Sequence, residues 1–262
     1  MPQASALLNV MIAAARKAGR GMVRDFGEIE NLQVSRKGPA DFVTRTDLAA
    51  EKVLFEELSK ARPGYGFVME ERGVVEGTDK TNRWLVDPLD GTTNFMHGIP
   101  HFAVSIGLER EGVLVAGVVY NVIRDELFWA ERGQGAYLND KRIRVGARAN
   151  MADALFATGT PFLGKPGHDL ALAEIGRVIA QTSGVRRFGA ASLDLAYVAC
   201  GRFDGFWERG LSAWDVAGGA MIVREAGGFA KEIDGGDFMK TGAIVAANEK
   251  LLPLLTKAVR GG

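Results

Sequence analysis

Two carboxylates, Asp87 and Asp90, stand close together in the segment WLVDPLDGTTNF, residues 84–95. The apolar run before Asp87 is typical of a short buried strand, and Pro88 is expected to end the hydrogen-bond ladder of that strand. Carboxylate oxygens are the ligands that a hard divalent cation prefers. Paired carboxylates at a strand end therefore indicate a cation site.

Residues 91–94, GTTN, come directly after these carboxylates and are typical of the start of a helix. The first backbone N–H groups of a helix have no partner within it, so they can bind an anion such as phosphate. The alternative is a plain turn, because Asp-Pro, Asp-Gly and a capping Thr are common in turns. We favour the first interpretation, a cation seat joined to a phosphate seat.

Three further carboxylates lie in segments that could complete such a site. Glu70 follows a predicted strand, Asp47 precedes a predicted helix, and Asp215 opens another. Each also has an ordinary explanation. Glu70 and Glu71 form a charge run typical of a solvated surface, while Asp47 and Asp215 are common N-cap residues. By spacing alone, the N-cap is the favoured interpretation of Asp47 or its neighbour Thr46.

Longer motifs surround these residues. The string DPLDGTTNF, residues 87–95, resembles the central signature of the inositol monophosphatase family, which are magnesium-dependent phosphomonoesterases. WDVAGGA, residues 214–220, is similar to the second signature of that family, and DFVTRTD, residues 41–47, to the motif before its second helix. The resemblance extends from residue 41 to residue 248. Two specific signatures far apart in one chain are hard to explain by chance.

The resemblance implies an α/β fold, the αβαβα sandwich of the inositol monophosphatase and fructose-1,6-bisphosphatase superfamily. It implies one domain over residues 1–262, made of two packed subdomains at about 1–145 and 146–262, with the active site between them. The sequence pattern agrees, since predicted hairpins before residue 145 give way to alternating helices and strands.

The same resemblance implies two or three Mg²⁺ ions, for which Mn²⁺ can substitute, and inhibition by Li⁺. The implied metal ligands are Glu70, Asp87, the backbone carbonyl of Leu89, Asp90 and Asp215. The implied catalytic residues are Glu70 and Thr92, which would orient a water molecule, and Asp47, which would hold Thr92 in place. The implied reaction is an in-line attack of a metal-activated water on the phosphorus of the ester.

The implied substrate site has a phosphate end and a sugar-alcohol end. The residues assigned to it are Gly91, Thr92, Thr93, Gly189, Ala190, Ala191, Glu208 and Asp215. Three residues depart from the family pattern or have an unsettled role. Met69 stands where the family usually has glycine and is expected to narrow the cavity, and Ser212 replaces a histidine and is expected to change substrate contacts. Lys37 is an expected auxiliary cation on a mobile loop.

The favoured substrate is myo-inositol 1-phosphate, or another small phosphorylated polyol. Fructose 1,6-bisphosphate, NADP, histidinol phosphate and 3′-phosphoadenosine 5′-phosphate remain alternatives, because relatives with this fold cleave them. A different class of function is a protein-binding role in transcription or RNA machinery, with incidental phosphatase activity. Kinship also implies a homodimer.

Composition restricts the remaining possibilities. The chain has 262 residues, with 32 basic and 32 acidic side chains that cancel, so no electrostatic attraction to nucleic acid or anionic membrane is expected. Cys200 is the only cysteine, which excludes an intramolecular disulfide and fits a reducing compartment. No apolar run approaches the length of a membrane span, and the N-terminus lacks the pattern of a secretory signal. We therefore expect a cytoplasmic protein.

Zinc and serine hydrolase mechanisms have little support in the sequence. His97, His101 and His168 do not form a zinc-ligand spacing with the single cysteine, and no Gly-x-Ser-x-Gly motif occurs. Hydrophobic periodicity predicts an amphipathic first helix and a second helix that ends before Pro63. The other predicted elements are strands near 67–69, 84–86, 102–109, 113–121, 126–130, 135–138, 185–188, 204–207, 229–232 and 243–246, and helices near 168–182, 191–200, 214–226 and 248–259.

Overall fold

The computed structural model describes residues 4–28, 34–38 and 41–261, with backbone alone at 34–38 and 41–43. The helices are α1 (Ala6–Phe26), α2 (Arg45–Ala61), α3 (Thr92–Met96), α4 (His168–Ile179), α5 (Ala191–Ala199), α6 (Ala213–Glu225), α7 (Phe238–Thr241) and α8 (Leu251–Arg260). The strands are β1 (Val34–Gly38), β2 (Asp41–Thr44), β3 (Tyr65–Met69), β4 (Gly73–Val75), β5 (Asp79–Asp90), β6 (Ala103–Arg110), β7 (Val113–Asn121), β8 (Glu126–Glu131), β9 (Gly135–Leu138), β10 (Lys141–Ile143), β11 (Leu155–Thr158), β12 (Gly184–Arg186), β13 (Gly205–Glu208), β14 (Phe229–Glu232) and β15 (Ile244–Ala247).

These elements stack in five layers. Helices α1 and α2 cover one face of an eight-stranded sheet with the order β10-β9-β8-β7-β6-β5-β3-β4. Helices α5 and α6 lie between that sheet and a five-stranded sheet with the order β12-β11-β13-β15-β14. Helices α4 and α8 cover the outer face of the smaller sheet. The predicted αβαβα arrangement is therefore confirmed.

From Trp84 onward strand β5 is buried on both faces, and its side chains alternate between the layers. Trp84 and Val86 pack in the core beneath α1 and α2, whereas Leu85 packs on the opposite side with α5 and α6. Since successive strand residues point to opposite faces, Asp87 follows Val86 toward the α5 and α6 layer. The alternation of the strand thus delivers a carboxylate to the interior between the sheets.

Helix α6 lies unusually close to the large sheet. A Cβ atom built on Gly107 of β6 would lie 2.6 Å from Cβ of Ala217, and one on Gly117 of β7 would lie 2.5 Å from the carbonyl oxygen of Gly218. Both contacts are too short for any side chain, so these glycines permit the approach of the helix backbone. The first turn of α6 is consequently held beside the end of β5.

The prediction that Pro88 ends the strand was wrong. Strand β5 continues to Asp90, and its register with β6 shifts between the pair Asp87–Ser105 and the pair Asp90–Ala103. The residues between these pairs form a bulge, where the missing N–H of proline costs no ladder hydrogen bond. The bulge re-aims the chain between the two aspartates.

The other predicted strands and helices are present, with ends shifted by a few residues. Strands β1, β2, β4, β10 and β11 were not predicted as separate elements, and each has five residues or fewer. The strands of the large sheet precede residue 144, and those of the smaller sheet follow residue 154. Among the described residues, no helix has both the length and the apolar character needed to cross a membrane.

Candidate active site

A cavity of about 580 Å³ lies where β3, β5, β11 and β13 end near the starts of α3, α5 and α6. Many of the residues predicted from the sequence line it, namely Glu70, Asp90, Gly91, Thr92, Thr93, Gly189, Ala191, Glu208 and Asp215. Four others are buried behind its wall, namely Asp47, Asp87, Leu89 and Ala190. The structure therefore gathers the predicted set in one place, although only part of the set faces the cavity.

Four carboxylates dominate the electrostatics of this place. Removal from water raises the pKa of Asp87 well above its usual value, and the negative charges of Glu70, Asp90 and Asp215 raise it further. Burial raises the pKa of Asp90 to about 6. Burial also raises the pKa of Asp215 to about 8, with Asp90 and Glu70 contributing repulsion. The four groups thus lie close enough to disfavour one another's ionised form.

The donor chemistry of this cluster fits Mg²⁺. The side-chain donors are all oxygens, and a divalent cation would neutralise the repulsion that raises their pKa values. Within residues 4–28, 34–38 and 41–261, no three His, Cys, Asp or Glu side chains already form a group that could hold a metal ion. Backbone N–H groups hold Asp87, Asp90 and Asp215, with Asp87 accepting from the N–H of Leu89 at 3.0 Å.

Asp90 is held by a contact that sequence reasoning missed. Its Oδ2 accepts a hydrogen bond from the backbone N–H of Ser192 at 2.8 Å and another from the hydroxyl of the same residue. Helix α5 begins after Ala190, which has no side chain that could cap it. An uncapped helix start needs an acceptor from elsewhere in the fold. The alanine before this helix is therefore the sequence feature that could have indicated such a contact. The carboxylate of Asp90 supplies the acceptor.

Asp47 lies in the first turn of α2, but it is not the N-cap. Thr44 caps the helix, and Asp47 is the third helical residue of a capping box, accepting from the Thr44 N–H at 3.0 Å. The prediction of Thr46 or Asp47 as the cap was therefore wrong by two or three positions. The second carboxylate oxygen of Asp47 accepts from the hydroxyl of Thr92 at 2.9 Å. The predicted contact between these two side chains is present.

Asp215 lies in the same kind of local structure. Ser212 is the N-cap of α6, and its backbone N–H donates to Oδ2 of Asp215 at 2.7 Å. The interpretation of Asp215 as a simple cap was wrong for the same reason as at α2, since the cap stands three residues earlier. Ser212, predicted to alter substrate contacts, lines the cavity.

The start of α3 forms the floor beside the carboxylates. Gly91 precedes the helix with φ of 95°, a left-handed conformation that favours glycine. A Cβ atom there would lie 3.4 Å from Cβ of Ala190, so Ala190 packs behind Gly91. Ala190 was predicted to line the substrate site, but it is not among the residues that line the cavity. The amide of Asn94 donates to the carbonyls of His101 and Phe188, both at 2.8 Å, and so ties α3 to the chain that leads into Gly189.

The strand end that carries Glu70 is positioned from α2. The buried carboxylate of Glu51 accepts from the backbone N–H of Glu71 at 2.8 Å and that of Arg72 at 3.3 Å. Met69 was expected to narrow the cavity, but that prediction was wrong. Its side chain is fully buried in the core beneath α1 and α2, and its register partner on β5 is Val86. The side chain of Lys37 lies outside the described residues.

Glu208 also lines the cavity, at the end of β13. Burial raises its pKa to about 8, and the negative charges of Asp215 and Asp90 act in the same direction. Arg187 also lines the cavity, and its positive charge opposes that shift. This part of the site therefore combines a carboxyl group, a guanidinium and small residues, which suits a ligand rich in hydroxyl groups.

Comparison with known proteins matches this arrangement to one family. The model of the inositol monophosphatase family matches residues 3–261. An inositol-1-monophosphatase of Mesorhizobium japonicum is 60% identical over 257 residues, which cover 98% of this chain and 97% of the relative. Nus factor SuhB of Escherichia coli is 43% identical over 255 residues, covering 97% and 96%. The crystal structure of extragenic suppressor protein suhB from Bartonella henselae superposes with a TM-score of 0.95, at 57% identity, covering 98% of this chain and 100% of that one.

The five layers, with an acidic cavity between the two sheets, define the fold class of the inositol monophosphatases and fructose-1,6-bisphosphatases. Within that class, the chain belongs to the inositol monophosphatase family.

Proposed function

We propose that this protein is a Mg²⁺-dependent phosphomonoesterase that hydrolyses the phosphate ester of a small polyol, with myo-inositol 1-phosphate as the favoured substrate. The observation that carries the proposal is the cluster of Glu70, Asp87, Asp90 and Asp215 at a cavity whose remaining lining suits hydroxyl groups. The 60% identity to an inositol-1-monophosphatase supports the choice of substrate.

The cation would be held by the four carboxylates and the backbone carbonyl of Leu89. Two or three ions fit the proposal, and Mn²⁺ is expected to substitute. When bound, Mg²⁺ would neutralise charge on the phosphate ester and lower the pKa of the attacking water. An all-oxygen donor set supports Mg²⁺ over softer metals.

The remaining residues at this end would orient the reactants. The hydroxyl of Thr92 lies 2.9 Å from Oδ1 of Asp47 and 3.0 Å from the carbonyl oxygen of Leu89, so its single proton has an acceptor on either side. While that proton is donated, the lone pairs of the hydroxyl can accept from a water molecule. We assign to Thr92 and Glu70 the orientation of the attacking water, and to Asp47 the orientation of Thr92.

The phosphate would lie against the start of α3. Backbone N–H groups of Gly91, Thr92 and Thr93 have no partner within the helix turn that they begin, so they can donate to phosphate oxygens. The ester hydroxyl groups would then extend toward Glu208, Gly189 and Ala191. Phosphate and polyol would thus contact different residues of one cavity.

The test is phosphate release from five esters, with Mg²⁺ and after chelation by EDTA. The esters are myo-inositol 1-phosphate, fructose 1,6-bisphosphate, NADP, histidinol phosphate and 3′-phosphoadenosine 5′-phosphate. We expect Mg²⁺-dependent turnover with preference for the inositol ester, and inhibition by Li⁺. A preference for another ester would replace the substrate but keep the reaction, and no turnover on any of them would refute the phosphatase proposal.

A second candidate function is a protein contact in the transcription machinery. It is supported by 43% identity, over nearly the full length, to a relative named Nus factor SuhB. Binding to purified components of that machinery, measured by biolayer interferometry with wild type and with Asp90→Asn, separates this function from catalysis. Equal binding by both proteins would support it, and no binding by either would remove it.

We also propose a cytoplasmic homodimer, in line with the family resemblance. The single cysteine and the balanced charge are compatible with that compartment. Light scattering would measure the oligomeric state, and a monomer across the concentration range would contradict the dimer.

A further inference from the structure

Glu208 lies against a backbone position that has no side chain. Gly159 follows directly after β11 and lines the cavity. A Cβ atom built on Gly159 would lie 1.8 Å from Oε1 and 1.9 Å from Cδ of Glu208. The carboxyl group of Glu208 therefore occupies the volume that any side chain at position 159 would need.

The glycine is not required by its own backbone conformation. The φ angle of Gly159 lies outside the left-handed region that favours glycine, unlike those of Gly164 and Gly167 in the same loop. All three of the nearest atoms to the built Cβ belong to Glu208. An alanine at position 159 would thus conflict with that carboxyl group before anything else.

The chain around Gly159 is fixed to the strand that carries Glu208. Strands β11 and β13 run parallel, with Thr158 paired to Trp207, and the hydroxyl of Thr158 donates to the Trp207 carbonyl at 2.7 Å. Position 159 is therefore locked beside position 208. The hydroxyl of Thr160 accepts from Nε of Arg187 at 3.2 Å, which holds the guanidinium on the same side of the cavity.

We propose that Gly159 is a specificity-determining position, because its missing side chain lets the Glu208 carboxyl group lie flat on the cavity wall, where it accepts hydroxyl groups of the substrate. This inference rests on the proposed phosphatase function and adds the residue that sets its selectivity for polyol esters. A side chain at position 159 pushes the carboxyl group into the space of the polyol. The aspartates of the cluster that serves the phosphate keep their own backbone hydrogen bonds, from Leu89, Ser192 and Ser212.

The kinetic test compares wild type, Gly159→Ala and the control Gly176→Ala on two esters. Myo-inositol 1-phosphate carries hydroxyl groups, whereas p-nitrophenyl phosphate carries none. Gly176 lies on α4, which also borders the cavity, and nothing lies within 4 Å of a Cβ built there. We expect Gly159→Ala to raise KM for the inositol ester about 10- to 100-fold, as when a buried group loses its hydrogen-bond partner.

The effect of Gly159→Ala on p-nitrophenyl phosphate should be much smaller, so the selectivity ratio falls, while Gly176→Ala should match wild type on both esters. Equal losses on both esters would overturn the inference, because they would show general damage to the site. Failure of wild type to cleave any polyol ester would instead refute the proposed function.

A stability cycle tests the contact without any substrate. Gly159→Ala is measured by urea unfolding in wild type and in a Glu208→Ala background. We expect a lower unfolding midpoint in wild type and no loss in the Glu208→Ala background, where alanine has room and reduces the entropy of the unfolded chain. If Gly159→Ala alone does not fold, folding of the double variant supports the inference. Equal destabilisation in both backgrounds would overturn it.

Discussion

Helices α2 and α6 begin with the same local structure but place their aspartates in opposite surroundings. Each has a hydroxyl residue as N-cap, Thr44 or Ser212, and an aspartate three residues later that accepts from the backbone N–H of the cap. Asp47 is fully buried and also accepts from the hydroxyls of Thr44 and Thr92. Asp215 faces a cavity lined by other carboxylates.

The pKa values express that difference. Burial raises the pKa of Asp47, but hydrogen bonds from Thr44 and Thr92 oppose the rise. Burial raises the pKa of Asp215 to about 8, and the carboxylates of Asp90 and Glu70 add to it. One aspartate is therefore satisfied by donors within the protein, while the other favours a cation. A capping box thus orients a carboxylate but does not decide what the carboxylate does.

The largest effect is expected from Asp215→Asn. Asparagine keeps an oxygen for the Ser212 N–H, so the start of α6 is preserved, but the negative charge at the cavity is lost. We expect kcat/KM to fall at least about 100-fold, because a bound ion supplies several kcal/mol of transition-state stabilisation. Circular dichroism should show an unchanged fold, and Mg²⁺ should raise Tm less than in wild type. Near-normal turnover would remove Asp215 from the cation site.

The matched change, Asp47→Asn, should have a smaller effect on activity and a larger one on stability. The amide can still accept from the Thr44 N–H, but it cannot satisfy all the buried donors around it. We expect about a 10- to 100-fold loss of activity, as for partners that orient a metal site. We expect about 1–3 kcal/mol of destabilisation in urea unfolding from the unmet donors. If Asp47→Asn abolished Mg²⁺ binding outright, the contrast with Asp215 would fail.

A third substitution tests whether the close packing of α6 on the large sheet positions Asp215. Gly107→Ala would bring a methyl group within 2.6 Å of Cβ of Ala217. We expect about 1–3 kcal/mol of destabilisation from overpacking, together with weaker Mg²⁺ binding as α6 moves from the sheet. Gly112→Ala would not serve as a control because its φ is 78°. Gly21→Ala on α1, with nothing within 4 Å of the built Cβ, is the suitable control. Unchanged Mg²⁺ affinity in Gly107→Ala would show that the packing of α6 on the sheet does not position the cation site.

The last expected effect is a pH dependence of stability in EDTA. The folded pKa of Asp90 is about 6 and those of Asp215 and Glu208 are about 8, above the values near 4 of the unfolded chain. The folded state therefore binds more protons than the unfolded state in this window. Its added stability is fully present below about pH 4 and is lost as pH rises through about 6 to 8.

Urea unfolding at several pH values checks this, and Mg²⁺ should reduce the loss because the ion binds the deprotonated carboxylates. Asp215→Asn should reduce the pH dependence of the free energy of unfolding in EDTA more than Asp47→Asn does. Stability that increased from pH 4 to pH 8 in EDTA would contradict the raised pKa values.

Much of the architecture was accessible from local patterns and the family resemblance. The layered fold is confirmed, and the predicted hairpin of β6 and β7 agrees with the structure within about a residue. The errors fall where two parts of the chain meet. Pro88 lies within β5 because a bulge accommodates it, and Met69 faces a core that its own segment does not reveal.

The caps show the same limit. Thr46 and Asp47 carried the right composition for a helix start, but the cap is the residue whose backbone leaves the strand, and that is Thr44. At α5 the capping acceptor is Asp90, about a hundred residues earlier in the chain, whose carboxylate accepts from the N–H of Ser192. No local pattern contains such a pair.

The residues that can do chemistry, and the local conformations that present them, could be predicted from the sequence alone. The spacing of the carboxylates, the turn residues and the strand alternation act through backbone geometry and short-range hydrogen bonding, so a local pattern is enough to predict their effect. The packed fold was needed to show which carboxylates repel one another, that Asp47 binds hydroxyls while Asp215 faces a cavity, and that Gly159 makes room for Glu208. Those outcomes depend on burial and on contacts between distant segments, and both exist only once the layers have packed.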